Sequence, residues 1–143
     1  MAATARARRS DLGASSMELA LLTPILILVI LSVVQFTMIF HARHVALAAA
    51  QSGARVARSE PGGSWRAEAR ERAVRSVRGY GSRLLSDLRV VTDADADDNR
   101  WVEVSGTAVR VVPFLSSRAL QVRQRAGGPV ECFRPDDGDI DCE

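Results

Sequence analysis

The sequence predicts an α+β protein with a long N-terminal transmembrane helix that continues outside the membrane, a second amphipathic helix, and a small three-stranded antiparallel sheet. Three observations carry this reading. Leu19 to Phe40 is a run of twenty-two residues without a formal charge, and every Arg, Asp and Glu lies outside it. Trp65, Ala69, Ala73, Val77, Tyr80, Leu84 and Leu88 then recur at steps of three and four as one apolar stripe. From residue 88 onward the pattern changes to period two and to β-branched residues.

The chain opens with MAATARARRSDLGASSME, in which Arg6, Arg8 and Arg9 precede small polar residues and a lone acid, Glu18, stands against the apolar run. This is a leader whose positive charge favours a cytoplasmic N-terminus, although Arg43, Arg55 and Arg58 on the far side weaken the asymmetry. At about 1.5 Å per residue the apolar run is about 33 Å long as a helix, which matches a hydrocarbon core of about 30 Å. Helix-forming character persists past Phe40, and the first breaker cluster is Pro61-Gly62-Gly63. One helix of about forty residues from Glu18 therefore spans the bilayer and projects beyond it. Pro24 sits inside and bends the axis by removing a hydrogen bond. Small residues on the projecting half, Ala48, Ala49 and Ala54 among them, let a neighbouring helix come close.

The second helix is expected from Ser64 to about Asp87, with its stripe packed on the sheet and its other face charged, where Glu68 precedes Arg72 and Glu71 precedes Arg75 by four residues. Gly79 and Gly81 are positions at which it can kink or divide. Three strands follow at residues 88–92, 101–112 and 119–126, joined by a polar turn at residues 93–99 and a connection at 113–117. Gly127-Gly128-Pro129 is expected to break the last strand.

Composition narrows the chemistry. The net charge of +2 is a small difference between nineteen basic and seventeen acidic residues mixed along the chain, so nucleic acid is not indicated. Cys132 and Cys142, the only cysteines, stand ten positions apart, which suits one disulfide in an oxidising compartment; free thiols or a metal are the alternatives, and the rest of a zinc set is missing. His41 and His44 lie three apart and lack a third ligand nearby. Asp93, Asp95 and Asp97 alternate as in a calcium loop, yet Asp98 occupies the position that needs Gly and Val104 the position that needs Glu. A solvated turn is the expectation, with no metal and no cofactor. Ser15 and Ser16 beside Glu18 have no base, and no phosphate loop or nucleophile motif is present, so no enzyme is expected. Ala46-Leu47-Ala48 satisfies the small-x-small rule of signal peptidase, but the apolar run before it is too long for a secretory h-region and Arg43 and His44 intervene.

The local order around Gly13 is the most informative feature. A basic leader is followed by Gly13-Ala14-Ser15-Ser16-Met17-Glu18 and then by the apolar helix. A carboxylate at the start of a bilayer-spanning helix is costly without the helix dipole or a cationic partner. Gly, four residues, and Glu ahead of a long apolar helix resembles the prepilin peptidase signal of type IV pilins. The stretch ELALLTPILILVIL, then QF, then ARHVALAAAQSGARVAR, resembles the TadE-like pseudopilins of tight-adherence pilus systems. The likeness covers the first sixty residues well and continues loosely through the sheet to Gly128-Pro129-Val130-Glu131-Cys132-Phe133-Arg134-Pro135.

This resemblance implies cleavage between Gly13 and Ala14, with Glu18 as the fifth mature residue, serving processing or subunit packing. The implied organisation is a cytoplasmic leader at 1–13, a helix at 14–60 with its transmembrane part at 19–40, and an exported α+β domain at 64–143. The implied partners are a prepilin peptidase, a platform membrane protein, other pilin-like subunits and membrane lipid. The implied place is the plasma membrane, single-pass, with the C-terminal domain outside or in a surface pilus. The competing expectation is a signal-anchored extracytoplasmic binding module that does not polymerise.

Overall fold

The computed structural model describes residues 11–59 and 62–131. The early arginines of the leader, Pro61 of the breaker cluster, Cys132, Cys142 and the acidic tail lie outside the described residues. The elements in chain order are α1 (Asp11–Ser59), α2 (Trp65–Gly81), β1 (Leu85–Ala94), β2 (Asn99–Ala108), a short 3-10 turn (Ser117–Leu120) and β3 (Gln121–Pro129). The sheet is antiparallel in the order β1-β2-β3.

Helix α1 is 49 residues long, or about 73 Å at the usual rise. Its two halves differ in what surrounds them. From Met17 to Val34 nearly every large apolar side chain is exposed. From Ala42 onward Ala42, Val45, Ala46, Ala49, Ala50, Ala54 and Ala57 are buried, at the three-and-four spacing of one helix face. This second half and α2 cover one face of the sheet, α1 along β2 and β3 and α2 beside it toward β1. Val90, Val102, Val104 and Val122 project from the strands into the core they form. The other sheet face is polar, with Glu103 paired to Arg123 at 3.3 Å and Arg125 stacked over Trp101 at 4.3 Å.

Helix α2 crosses closely because its contact residues are small. A Cβ on Gly53 would lie 2.8 Å from the carbonyl oxygen of Ala69 and 3.1 Å from Ala73 Cβ, so only glycine lets the two backbones approach this far. Most contacts of α2 are with α1, which corrects the expectation that its stripe packs chiefly on the sheet.

The helix also stops earlier than its spacing suggests. It ends at Gly81, where a Cβ would meet Val45 Cγ1 at 3.0 Å, and a turn from Leu84 N–H to the Gly81 carbonyl leads into β1. Pairing of Leu85 with Ala108 and of Ser86 with Thr107 overrides the helical preference of the segment. Tyr80 is accordingly 73% exposed, and Leu84 and Leu88 reach the core from the turn and the strand. Two more boundaries differ. Strand β3 continues through Gly127 and Gly128 to Pro129, because Trp101 lies across Gly127 where any Cβ would clash, and because Pro129, on an edge strand, need not donate. Strand β2 ends at Ala108, well before Val112.

Candidate functional site

The exposed half of α1 has the length and apolar composition of a membrane-spanning helix. Thr23 and Ser32 in this half, and Thr37 just past it, each donate the hydroxyl to the carbonyl four residues back, at 2.6, 2.8 and 2.9 Å, which satisfies these polar groups within the helix. Pro24 lies inside this half, and α1 is assigned as one continuous helix through it. Glu18 is exposed near the start, and the Gly13–Ala14 bond falls within the first turns of α1, where backbone N–H groups lack helical acceptors. One long helix of this length and composition is present among the described residues.

Gln35 marks the junction between the halves. It is the one amide side chain in the apolar run, and it is 3% exposed. Its Oε1 accepts from the N–H groups of Val111 at 2.7 Å and Val112 at 3.0 Å, while its Nε2 donates to the carbonyl of Val109 at 3.1 Å. Just past the end of β2, where both neighbouring strands also end, these backbone groups are bonded to a side chain of α1. The sequence reading did not single out Gln35, and the available signal was its amide among aliphatic neighbours.

At the other end of the unit Arg100, 6% exposed, closes the C-terminus of α1. Its Nη1 donates to the carbonyl of Ala57 at 2.8 Å, its Nε and Nη2 reach the Asp98 carboxylate at 3.2 Å each, and its guanidinium stacks on Trp65 at 4.9 Å. A cation is favourable there because the last helical carbonyls carry partial negative charge. Arg58 donates to the Pro129 carbonyl and pairs with Glu131, whose N–H returns to the Arg58 carbonyl. Arg100 was likewise missed, because its role depends on a carbonyl forty-three residues away.

Strand β2 thus runs antiparallel to α1, from Arg100 at Ala57, past Val102 near Gly53, to the Val109–Val112 segment at Gln35. The aspartates of the hairpin lie at the end remote from Gln35. Asp95 Oδ1 accepts from the N–H groups of Asp97 and Asn99, and its Oδ2 accepts from the Asn99 side chain at 2.9 Å. These bonds, the side-chain bond from Asn99 first, hold the Asp95 carboxyl below its ordinary value. The carboxylate is engaged in building the turn. Asp98 takes φ +53°, the left-handed conformation that Asp tolerates, at the last loop residue before β2.

His41 and His44 are exposed on α1, and the His44 ring meets Phe40 edge-on at 4.5 Å. No group of three metal-ligating side chains occurs among the described residues. Neither a curated protein nor a solved structure matches this chain. A family model does match it, over the exposed half of α1 and most of the packed half, and the match points to a pilin-like, structural class of protein associated with a Tad pilus. Over residues 13–55 the chain is similar to the family described as TadE-like protein.

Proposed function

We propose that the protein is a pseudopilin, a structural or assembly subunit of a tight-adherence pilus, made as a prepilin-like precursor and cleaved between Gly13 and Ala14. The observation that supports this best is the division of α1. One continuous helix offers an apolar, internally satisfied half to lipid and builds the other half into an α+β unit. Such a helix can leave lipid for contacts with other apolar helices without the folded unit being remade, since the unit does not use residues 17–34 for its core. In this reading Glu18 and the new α-amino group of Ala14, in the same or a neighbouring subunit, set the register of assembly.

The partners are a prepilin peptidase, a platform membrane protein and other pilin-like subunits, and the chain crosses the plasma membrane once with its N-terminus in the cytoplasm. Because Gln35 is already bonded into the folded unit, we place the bilayer part of α1 at about Ser16 to Val34, about 28 Å of helix, rather than at the 19–40 expected from the charge-free run.

The test is the N-terminus of the membrane-fraction protein, by sequencing or intact mass, in cells with and without a prepilin peptidase. A chain beginning at Ala14 only when the peptidase is present is the expected result. A chain that keeps Met1 in both would leave a signal-anchored binding module, and one beginning after Ala48 would mean a released protein. Glu18→Ala separates processing from packing: cleavage persists and co-isolation with other pilin-like subunits is lost if Glu18 acts in assembly.

A further inference from the structure

Gln35 holds the Val109–Val112 segment against α1 at the level where the exposed apolar half of the helix ends. The chain then turns through Pro113-Phe114-Leu115 before returning along β3. Phe114 is 75% exposed, Val109 is exposed, and Phe36 and Phe40 stand exposed on α1 just past Gln35. One exposed phenylalanine alone would be ordinary, but this one follows directly on a segment bonded to the helix where its apolar half ends, with Phe36 and Phe40 exposed nearby on that helix.

Two further observations bear on what covers it. Part of the loop backbone is provided for: Val111 and Val112 donate to Gln35, Pro113 has no N–H, and Leu115 donates to the Val112 carbonyl. A segment that approaches hydrocarbon needs this, because no water is there to pair with a free amide. Charge near the loop is mainly basic, although Asp87 of β1 stands at the same end of the sheet, and the far end mixes Arg58, Arg100 and Arg125 with its acids. From Val104 to Val130 the chain contains no acid, and Arg110 and Arg118 flank the loop while Arg43 lines the adjoining groove with Phe36, Phe40 and Ala119. Asp93, Asp95, Asp97 and Asp98 gather around the hairpin remote from Gln35.

We propose that the 109–118 loop is a second membrane contact, in which Phe114 enters the headgroup–acyl boundary of an anionic bilayer and Arg43, Arg110 and Arg118 engage lipid phosphates. The occupant is lipid. The contact rests on α1 crossing the same membrane, and it fixes the height and tilt of the folded unit over the bilayer, which a single helix alone leaves free. Arg110 is already placed for this by its 2.8 Å bond to the Ser117 hydroxyl, which braces the two sides of the loop.

The experiment uses the full chain in nanodiscs of phosphatidylcholine, with and without an equal part of phosphatidylglycerol, and reads backbone amide signals as lipid carrying a doxyl group near the headgroup is added. The amides of residues 114–117 are expected to lose at least about half their intensity, as for a segment about 5–10 Å deep in the boundary, while those of residues 95–99 are unchanged. The loss is larger with phosphatidylglycerol, and Arg110→Gln with Arg118→Gln removes that difference. Phe114→Ser, at a side chain the core does not use, restores the loop signals without shifting those of β2.

Lipid carrying the doxyl group deep in its acyl chain reports separately on residues 20–33. Quenching there with none at 114–117 overturns the loop contact and leaves the spanning helix. No quenching at 20–33 overturns both. Loop signals that follow the number of chains per disc, and ignore the doxyl lipid, overturn the proposal in favour of contact between copies.

Discussion

Replacing Gln35 with Leu, which keeps the bulk and removes the amide, tests the junction between the two halves of α1. Three backbone groups lose their partner: the N–H groups of Val111 and Val112 and the carbonyl of Val109. Val112 is 5% exposed, so its N–H has little access to water, whereas the more exposed Val109 can be rehydrated. An unsatisfied buried donor costs about 1–3 kcal/mol, and Val111, half-buried, adds part of a second such cost. The expected local destabilisation is about 2–4 kcal/mol, which speeds amide exchange at Val111 and Val112 by about 30- to 700-fold. Hydrogen exchange on the full chain in micelles reads this directly, with the Asn99 amide of the remote hairpin as an unaffected reference. Gln35→Glu preserves the acceptor and puts an oxygen against the Val109 carbonyl, so it should fall between wild type and Leu. Equal exchange at Val111 and Val112 in wild type and Gln35→Leu would refute the claim that this side chain holds the loop.

Other consequences are simpler to state. Gly53→Leu, pressed against the Ala69 carbonyl, Ala73 and Val102, should destabilise the unit by about 3 kcal/mol in chemical unfolding, and an unchanged midpoint would mean that α2 can move away freely. The Asp95 carboxyl should titrate below 3.8 by NMR. Because its folded value is the lower one, its contribution to the hairpin is complete above the ordinary carboxylate range and is lost as pH falls through the folded value; Asp95→Asn should abolish this acid dependence of the Asn99 amide. Cys132 and Cys142 should resist alkylation in the exported protein until reduced, whereas labelling without reduction would show free thiols.

The parts of the fold legible in the sequence are those set by local spacing. The apolar run and the alanine stripe of α1 belong to one helix, the first announcing itself by an unbroken charge-free length and the second by intervals of three and four residues. Boundaries decided by distant partners were not legible. Tyr80, Leu84 and Leu88 suit a helix as well as they suit a turn and strand, and the choice falls to β1 when it pairs with β2. Gly127-Gly128 looks like a strand end until Trp101 is placed over it. Gln35 and Arg100 are invisible for the same reason, since each serves backbone groups far along the chain and no motif records such a debt.

The antiparallel run of β2 along α1 has a mechanical consequence. The sheet is fastened to the helix at Ala57 by Arg100 and at Gln35 by the Val109–Val112 backbone, with the alanine stripe between them, over about 33 Å. A pull on the N-terminal half of α1 against the body of the unit slides helix past sheet, so these contacts are loaded together in shear. Peeling them one at a time would need a sideways force. In the proposed assembly, extraction from a bilayer would act along the helix, the direction in which these contacts share the load.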